Sequence, residues 1–453
     1  MKKTIDLMND PIKNSFYKYL LPAIGAMIVK SLYVLADSIF VGVGVGAEGL
    51  GAVSLSVPFF SLSAAIALTI GIGGASIMSV ELGKNNKDQA QKVFSQSMAM
   101  IFVTALVLVS LAFVFLEDLI GLMGASGQLA ILTKDYLSVM LPFFIFHGMW
   151  WVLSAFVRND TNPSLVMYAT IGSALLNVVL DYVFIFVFAW GVKGAAFATG
   201  LSQAFTFTVL LSHFKSHKGI LKLSFKDLRF DKARKIVKIG LPTFFVESTT
   251  AVSVMIFNYV LLRNYSPLHV SAYGIVMNVG LVGLFLLVGI GQACQPIISF
   301  NFGADRLERI KETLYLGLKY SLSIGLTVSL ITIAFSRPLA SLFTRENQAL
   351  IDLASSAMKV YFLAPPIMAF NVIVATLFQS IEKPKYATII ALSRGFVFVV
   401  IGLLALPIVF PVNGIWASIL FAELITAVYS GSKLFKYLKS SKKFYNHLEK
   451  IAS

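Results

Sequence analysis

The sequence predicts an all-α polytopic membrane protein of twelve transmembrane helices, arranged as two six-helix lobes. Three observations predict it. Hydrophobic residues make up 57% of the 453 positions and charged residues only 13%. Mean hydropathy is +0.81, whereas a soluble domain carries about 25% charged residues. The second half of the chain also repeats the first at an offset of about 220 residues.

The elements follow in order. Span 1 (16–42) comes after the polar stretch MKKTIDLMNDPIKNS, which has no cleavage-type small-residue motif, so the span is expected to be retained and not removed as a signal peptide. It closes on the Gly-rich GVGVG. Span 2 (52–82) ends at a polar turn over 83–92, span 3 (91–116) leaves that turn, and span 4 (134–157) ends at Arg158. Pro163 opens span 5 (163–188), and span 6 (192–214) runs into the basic stretch FKSHKGILKLSFKDLRFDKARKIVK. Span 7 (236–262) leaves it through Leu241-Pro242, and span 8 (268–300) reaches a polar turn over 303–312. Span 9 (310–335), span 10 (351–380), span 11 (384–408) and span 12 (412–437) complete the set. Each is long enough to cross a hydrocarbon core about 30 Å thick at about 1.5 Å per residue.

The repeat is read from matched positions. Leu21-Pro22 falls on Leu241-Pro242, Ala52 on Ala272, and Gly83 on Gly303. VKGAAFA, starting at Val192, falls on VNGIWAS, starting at Val412, and Pro163 meets Pro384 with a slip of one residue. The expected organisation is an N-lobe over 1–215, a basic linker over 216–235, a C-lobe over 236–437 and a tail over 438–453. An even number of spans per repeat gives both lobes one orientation, related by a pseudo-two-fold axis along the membrane normal, with a substrate site between them.

Net charge is +15, but its distribution is a topology signal. Connections on one side hold 28 of the 37 Lys and Arg, those on the other hold five, and four lie inside spans. That bias places both termini in the cytoplasm of a multi-pass cell-membrane protein. Nucleic-acid binding is excluded, since no aromatic-interleaved basic surface exists to carry it. The single cysteine, Cys294, rules out an internal disulfide.

The informative residues are the polar ones in apolar runs, because an ionised side chain at the bilayer centre costs at least about 2.5–3.5 kcal/mol. Span 5 carries Thr170, Ser173, Asn177 and Asp181 along one face, span 1 carries Lys30, Tyr33 and Asp37, and span 6 carries Thr199, Gln203 and Thr206. Asp37, Asp181 and Thr199 all lie within roughly 7–11 Å of the outer boundary, so they can meet at one level. Lys30 sits two turns from Asp37 and leans away from it, which argues against a direct pair. At the offset of 220 residues Asp37 and Asp181 match Phe257 and Ile401, so these acids belong to one half only. The second half has its own acid, Glu247, matching Met27, and two further charges, Arg394 and Glu423, that invite pairing.

LYVLADSIFVG in span 1, LLNVVLDYVFI in span 5 and LPTFFVES in span 7 together resemble the multidrug and toxic compound extrusion (MATE) transporters. The resemblance covers all twelve spans and implies an ion site in the N-lobe. Its cation or proton would be held by Asp37, Asn177, Asp181 and Thr199, with Na⁺ the metal that such a set would take. It also marks Glu247 as the span 7 acid, for cationic substrate or a secondary proton. Some members add an acid in span 10, where this chain has Asn371.

Bland readings stand beside these. Asn177 and Thr199 are also ordinary helix-contact residues. His147, in FFIFHGMWW, reads first as a satisfied interior histidine, with a cavity wall or a proton relay as the alternatives, and Tyr33, Tyr136 and Lys30 join it as candidate lining of the substrate cavity. GVGAEG matches a dinucleotide motif in letters but ends a helix instead of opening one after a strand. His213 and His217 have ligand spacing without a convincing third partner. No phosphate-loop motif or soluble motor domain is present, so energy is expected from an H⁺ or Na⁺ gradient and no organic cofactor is called for.

The expected function is therefore cation-coupled antiport, exporting amphipathic and often cationic organic compounds, from a monomer with the bilayer as its other partner. The rivals are a lipid-linked oligosaccharide flippase, which would show cationic residues in its cavity, and a membrane-embedded enzyme, which would show a paired catalytic motif. The orientation has a direct check. In a Cys294→Ala background, a cysteine replacing Ser216 is expected to react with an impermeant maleimide only from the cytoplasm, and one replacing Ser126 only from outside. Reversed labelling would overturn the orientation.

Overall fold

The computed structural model describes residues 5–215, 219–222, 230–344, 347–411 and 413–452. Its described residues form sixteen α-helices: α1 (Ile12–Gly44), α2 (Ala47–Gly83), α3 (Lys87–Val114), α4 (Leu116–Leu122), α5 (Gly127–Asn159), α6 (Pro163–Asp181), α7 (Gly191–Leu211), α8 (Ala233–Asn264), α9 (Pro267–Gly303), α10 (Leu307–Ala334), α11 (Ser336–Ser341), α12 (Gln348–Tyr361), α13 (Pro365–Ser380), α14 (Pro384–Leu392), α15 (Phe398–Val409) and α16 (Gly414–Ala452). Two π-helical turns are inserted, Tyr182–Val187 after α6 and Ser393–Val397 between α14 and α15. Among the described residues eleven helical segments are long and apolar enough to cross a membrane, and α12 with α13, bent by 48°, makes a twelfth. Pro365 and Pro366 explain that bend, because proline removes a backbone donor and crowds the preceding turn.

Boundaries follow capping chemistry. Asn86, Asn162 and Asn347 each accept a backbone N–H of the helix they open, from Gln89, Leu165 and Leu350. Pro163, Pro267 and Pro384 take first-turn positions, where a missing N–H costs nothing. The last helix runs on to Ala452, so the tail expected over 438–453 continues span 12 as helix.

The chain divides into two compact units, Met1–Glu247 and Ser248–Ser453. The division falls inside α8. The first stretch of α8 packs into unit 1 at a glycine contact: a Cβ on Gly240 would lie 1.8 Å from the carbonyl oxygen of Thr69, and one on Gly73 only 2.1 Å from that of Ile236. Only hydrogen fits there. Of the linker, 216–218 and 223–229, with His217, lie outside the described residues. The part described is tied to unit 1 by Asp160, which accepts the backbone N–H of Ile220 at 3.1 Å and of Leu221 at 3.2 Å and bonds His213 Nε2 at 2.8 Å.

Each unit has the same internal order. The paired helices α2 and α9 have both ends displaced by the same 220 positions, and so do α3 and α10. Left-handed turn residues recur in step as well: Asn85 (φ 61°) with Asp305 (φ 53°), and Thr161 (φ 64°) with Glu382 (φ 55°). Both units also carry a π turn in the helix that follows the Pro163 and Pro384 starts, but at different depths. The π turn marks where each unit has placed its charged group.

Candidate functional site

In unit 1 the π turn begins immediately after Asp181, the last residue of α6. Widening the helix by one residue per turn redirects the side chains beside it, and such insertions recur at functional sites. Two close approaches fix the turn in place. A Cβ on Gly44 of α1 would lie 2.3 Å from Ile185, and one on Gly194 of α7 would lie 2.9 Å from the carbonyl oxygen of Phe184. Phe40 of α1 adds an edge-on ring contact with Phe186 at 5.9 Å. Held this way, α1 and α7 bring their own polar residues to Asp181.

Four helices contribute. Asp37 and Asp181 interact side chain to side chain. Tyr33 of α1 and Tyr136 of α5 both feel the two acids, and the Thr199 hydroxyl of α7 neighbours both phenols. Asn177, one turn before Asp181, is completely buried, as is Asp181. Among the described residues, Asp37 Oδ1, both carboxyl oxygens of Asp181 and both polar atoms of the Asn177 amide have no hydrogen-bond partner. An unsatisfied buried polar group costs about 1–3 kcal/mol, and more when charged. Five orphaned atoms in one cluster therefore mark a place built for something else to bind.

The donor set says what fits. Two carboxylates, an amide oxygen and a hydroxyl are hard oxygen ligands, suited to a small hard cation or to a proton. A thiol- or imidazole-seeking metal has no such place: among the described residues no three His, Cys, Asp or Glu side chains converge. His213 is instead engaged by Asp160 and by the Asn162 amide at 3.1 Å.

The other candidates gather in a second group. The Lys30 ammonium lies over the Trp151 ring, 4.5 Å from its centroid, and feels both Glu247 and His147. His147 Nε2 accepts the indole N–H of Trp151 at 3.1 Å. Because an indole N–H only donates, that nitrogen carries no proton, and Nδ1 carries the proton it donates to Ser63 Oγ at 3.0 Å. Both nitrogens of a neutral imidazole are thus engaged by fixed neighbours. His147 stands as a wall, with the rings of Phe60 and Phe144 at 5.8 and 5.7 Å.

The structure thus sorts the sequence candidates into an acid cluster (Tyr33, Asp37, Tyr136, Asn177, Asp181 and Thr199) and a group around Lys30, His147 and Glu247. Tyr33 and Tyr136, assigned from sequence to the cavity lining, sit with the acids. Of the polar stripes, Thr170 and Thr206 bond their own helices' carbonyls, and Ser173 bonds the Ser202 carbonyl. Trp151 and Ser63 were missed. The i, i+4 spacing of His147 and Trp151 was the available signal for the first, and nothing local points to Ser63.

The MatE family model matches residues 22–183 and again 242–404. The chain is 24% identical over 421 residues to the multidrug export protein MepA of Staphylococcus aureus, covering 92% of each. It is 24% identical over 409 residues to MepA of Staphylococcus haemolyticus, covering 90% of each. The fold matches a multidrug resistance MATE family transporter of the MOP superfamily in an outward-facing conformation, with a TM-score of 0.90 at 23% identity over 98% of this chain and 100% of that one. It also matches a MOP superfamily transporter from Pyrococcus furiosus, with a TM-score of 0.91 at 23% identity over 97% of this chain and 100% of the other.

The orphaned acids generate a stability test. Asp181→Asn keeps the shape and removes a buried acid beside Asp37, so it is expected to melt at or above the wild-type temperature in detergent, gaining up to about 1 kcal/mol. A loss of several degrees would show that the carboxylate is an architectural contact.

Proposed function

This chain belongs to the MatE family, and from that premise we propose that it is a cation-coupled multidrug antiporter. In this reading it exports amphipathic, often cationic compounds across the cell membrane, with both termini in the cytoplasm and H⁺ or Na⁺ as the returning ion. One observation carries the coupling: two carboxyl groups side by side, Asp181 completely buried and Asp37 half-buried with its Oδ1 enclosed, both with partnerless oxygens, in the unit whose repeat has Phe257 and, with the one-residue slip of the Pro163 and Pro384 starts, Gly402 at the matching positions. The named relatives are multidrug exporters, which supports the substrate class.

The chemistry follows from the cost of charge. With no ion bound, the Asp37 and Asp181 carboxylates repel each other and lack their hydration. A proton or Na⁺ removes both penalties, with Asn177 and Thr199 supplying neutral oxygens to a metal ion. The ion therefore favours whichever arrangement of α1 and α6 closes around it, and transport needs only that substrate favours the other. Pro22 within α1 and the π turn after Asp181 are the points at which those helices can adjust. Glu247 serves the substrate. Lys30 over Trp151 supports this reading: a lipophilic cation that displaced Lys30 would meet the same aromatic face with Glu247 as its counter-charge.

Proteoliposomes with an imposed pH or Na⁺ gradient and a cationic dye test the assignment. Asp37→Asn and Asp181→Asn are each expected to lower gradient-driven transport about 5–150-fold, the span of a 1–3 kcal/mol coupling, with expression intact. Glu247→Gln is expected to weaken cationic substrates about fivefold, or 1 kcal/mol, while sparing neutral ones. Normal gradient-driven transport by either Asp variant would refute the coupling site.

A further inference from the structure

Unit 2 holds a buried carboxylate of its own, and its surroundings are the reverse of those in unit 1. Glu423 of α16 is 1% exposed. Arg394, on the π turn between α14 and α15, donates to Glu423 Oε1 through Nε at 2.9 Å and Nη2 at 2.8 Å. Asn371 of α13 donates to Glu423 Oε2 at 2.7 Å and to its backbone carbonyl at 2.9 Å. The remaining face of that amide is used as well, since Ser430 donates to Asn371 Oδ1 at 2.6 Å. No atom of these four side chains is among the orphaned buried groups of the described residues. The cluster has one positive and one negative charge, and every carboxyl oxygen has its donor.

The repeat shows how this came about. Glu423 occupies the position that Gln203 holds in unit 1, and Arg394 the position of Ser173 with the one-residue slip of the Pro163 and Pro384 starts. Neither unit-1 counterpart is charged. Each unit therefore places one ionisable group at a π turn in the same helix, Asp181 in unit 1 and Arg394 in unit 2, but unit 1 leaves its acids open and unit 2 supplies a cation from the chain.

We propose that Arg394 is a resident cation that does for Glu423, through a covalent tether, what an exchangeable proton or metal ion does for the acids of unit 1, so that Glu423 stays charged throughout the cycle and ion exchange is confined to unit 1. A guanidinium cannot leave, and it stays charged at any physiological pH. The pair holds α14–α15 to α16, and Asn371 joins them to α13 just beyond the bend with α12. The cluster consequently keeps these helices tied together with a charge that does not change. The idea rests on the coupling role given to Asp37 and Asp181, and its own consequence concerns Glu423 alone. Removing the tethered cation is expected to convert Glu423 into an exchangeable acid.

Infrared pH-difference spectra of the purified full-length protein in lipid read this directly, because a carboxyl that gains a proton shows a carboxylic C=O stretch. In the wild type, no band in that region should be lost on Glu423→Gln/Arg394→Gln double substitution. In Arg394→Gln a new band is expected, and it should vanish when Glu423→Gln is added. The double variant replaces the pair by two neutral hydrogen-bonding amides and should keep the wild-type number of ions exchanged per substrate. A titrating Glu423 band already present in the wild type, or a changed ion stoichiometry in a folded double variant, would overturn the proposal. If Arg394→Gln does not fold, the wild-type comparison with the double variant decides the matter. Bands from Asp37 and Asp181 are assigned separately by their own Asn variants, so failure of the unit 1 coupling site would be seen apart from failure here.

Discussion

A carboxylate cannot sit in hydrocarbon without something to neutralise it, and that constraint organises this protein. Asp37 and Asp181 are brought together by a π turn, by the contacts of Gly44 and Gly194 with it, and by the meeting of α1, α6 and α7. Nothing within the described chain satisfies Asp37 Oδ1 or either carboxyl oxygen of Asp181. In the proposed function the fold stores a cost in unit 1 that a small cation would relieve, and a free-energy difference of that kind is what a gradient-driven cycle needs. Glu423 meets the same constraint with a bound arginine instead.

Two groups of polar residues in unit 1 differ in chemistry. The acid cluster offers only oxygen and suits a small ion. The neighbouring group offers an indole face, a fixed neutral imidazole and the opposed charges of Lys30 and Glu247, which suits a large, partly apolar cation. Under the proposed function, that separation would let ion and substrate influence one another through helix movement without contesting the same atoms.

Much of this was legible in the sequence, and the reasons are physical. Hydrophobic run length and the matched Pro, Ala and Gly positions revealed the spans and the duplication, since a helix in lipid must satisfy its own backbone and therefore shows as an uninterrupted apolar run. Asp37, Asn177, Asp181 and Thr199 stood out because charge and amide groups are rare in such runs. What local pattern does not encode is the partner on another helix. Tyr136 reads as cavity lining until α5 is packed against α7, which brings it beside Thr199 and the acids, and Lys30 shows no trace in sequence of the Trp151 ring beneath it. The break between α12 and α13 was hidden by continuous hydropathy across Pro365-Pro366. The π turns were equally hidden, because one extra residue in a helical turn leaves composition unchanged.

The central claim is that ion and substrate oppose one another through the two acids of unit 1. Ion release on substrate binding tests it most directly, with purified protein in weakly buffered medium, a cationic dye as substrate, and a pH indicator and a Na⁺ electrode as readouts. The account requires the wild type to release protons or Na⁺ in proportion to dye bound, and the Asp37→Asn/Asp181→Asn protein to bind dye without that release. Equal ion release from the two proteins would contradict it.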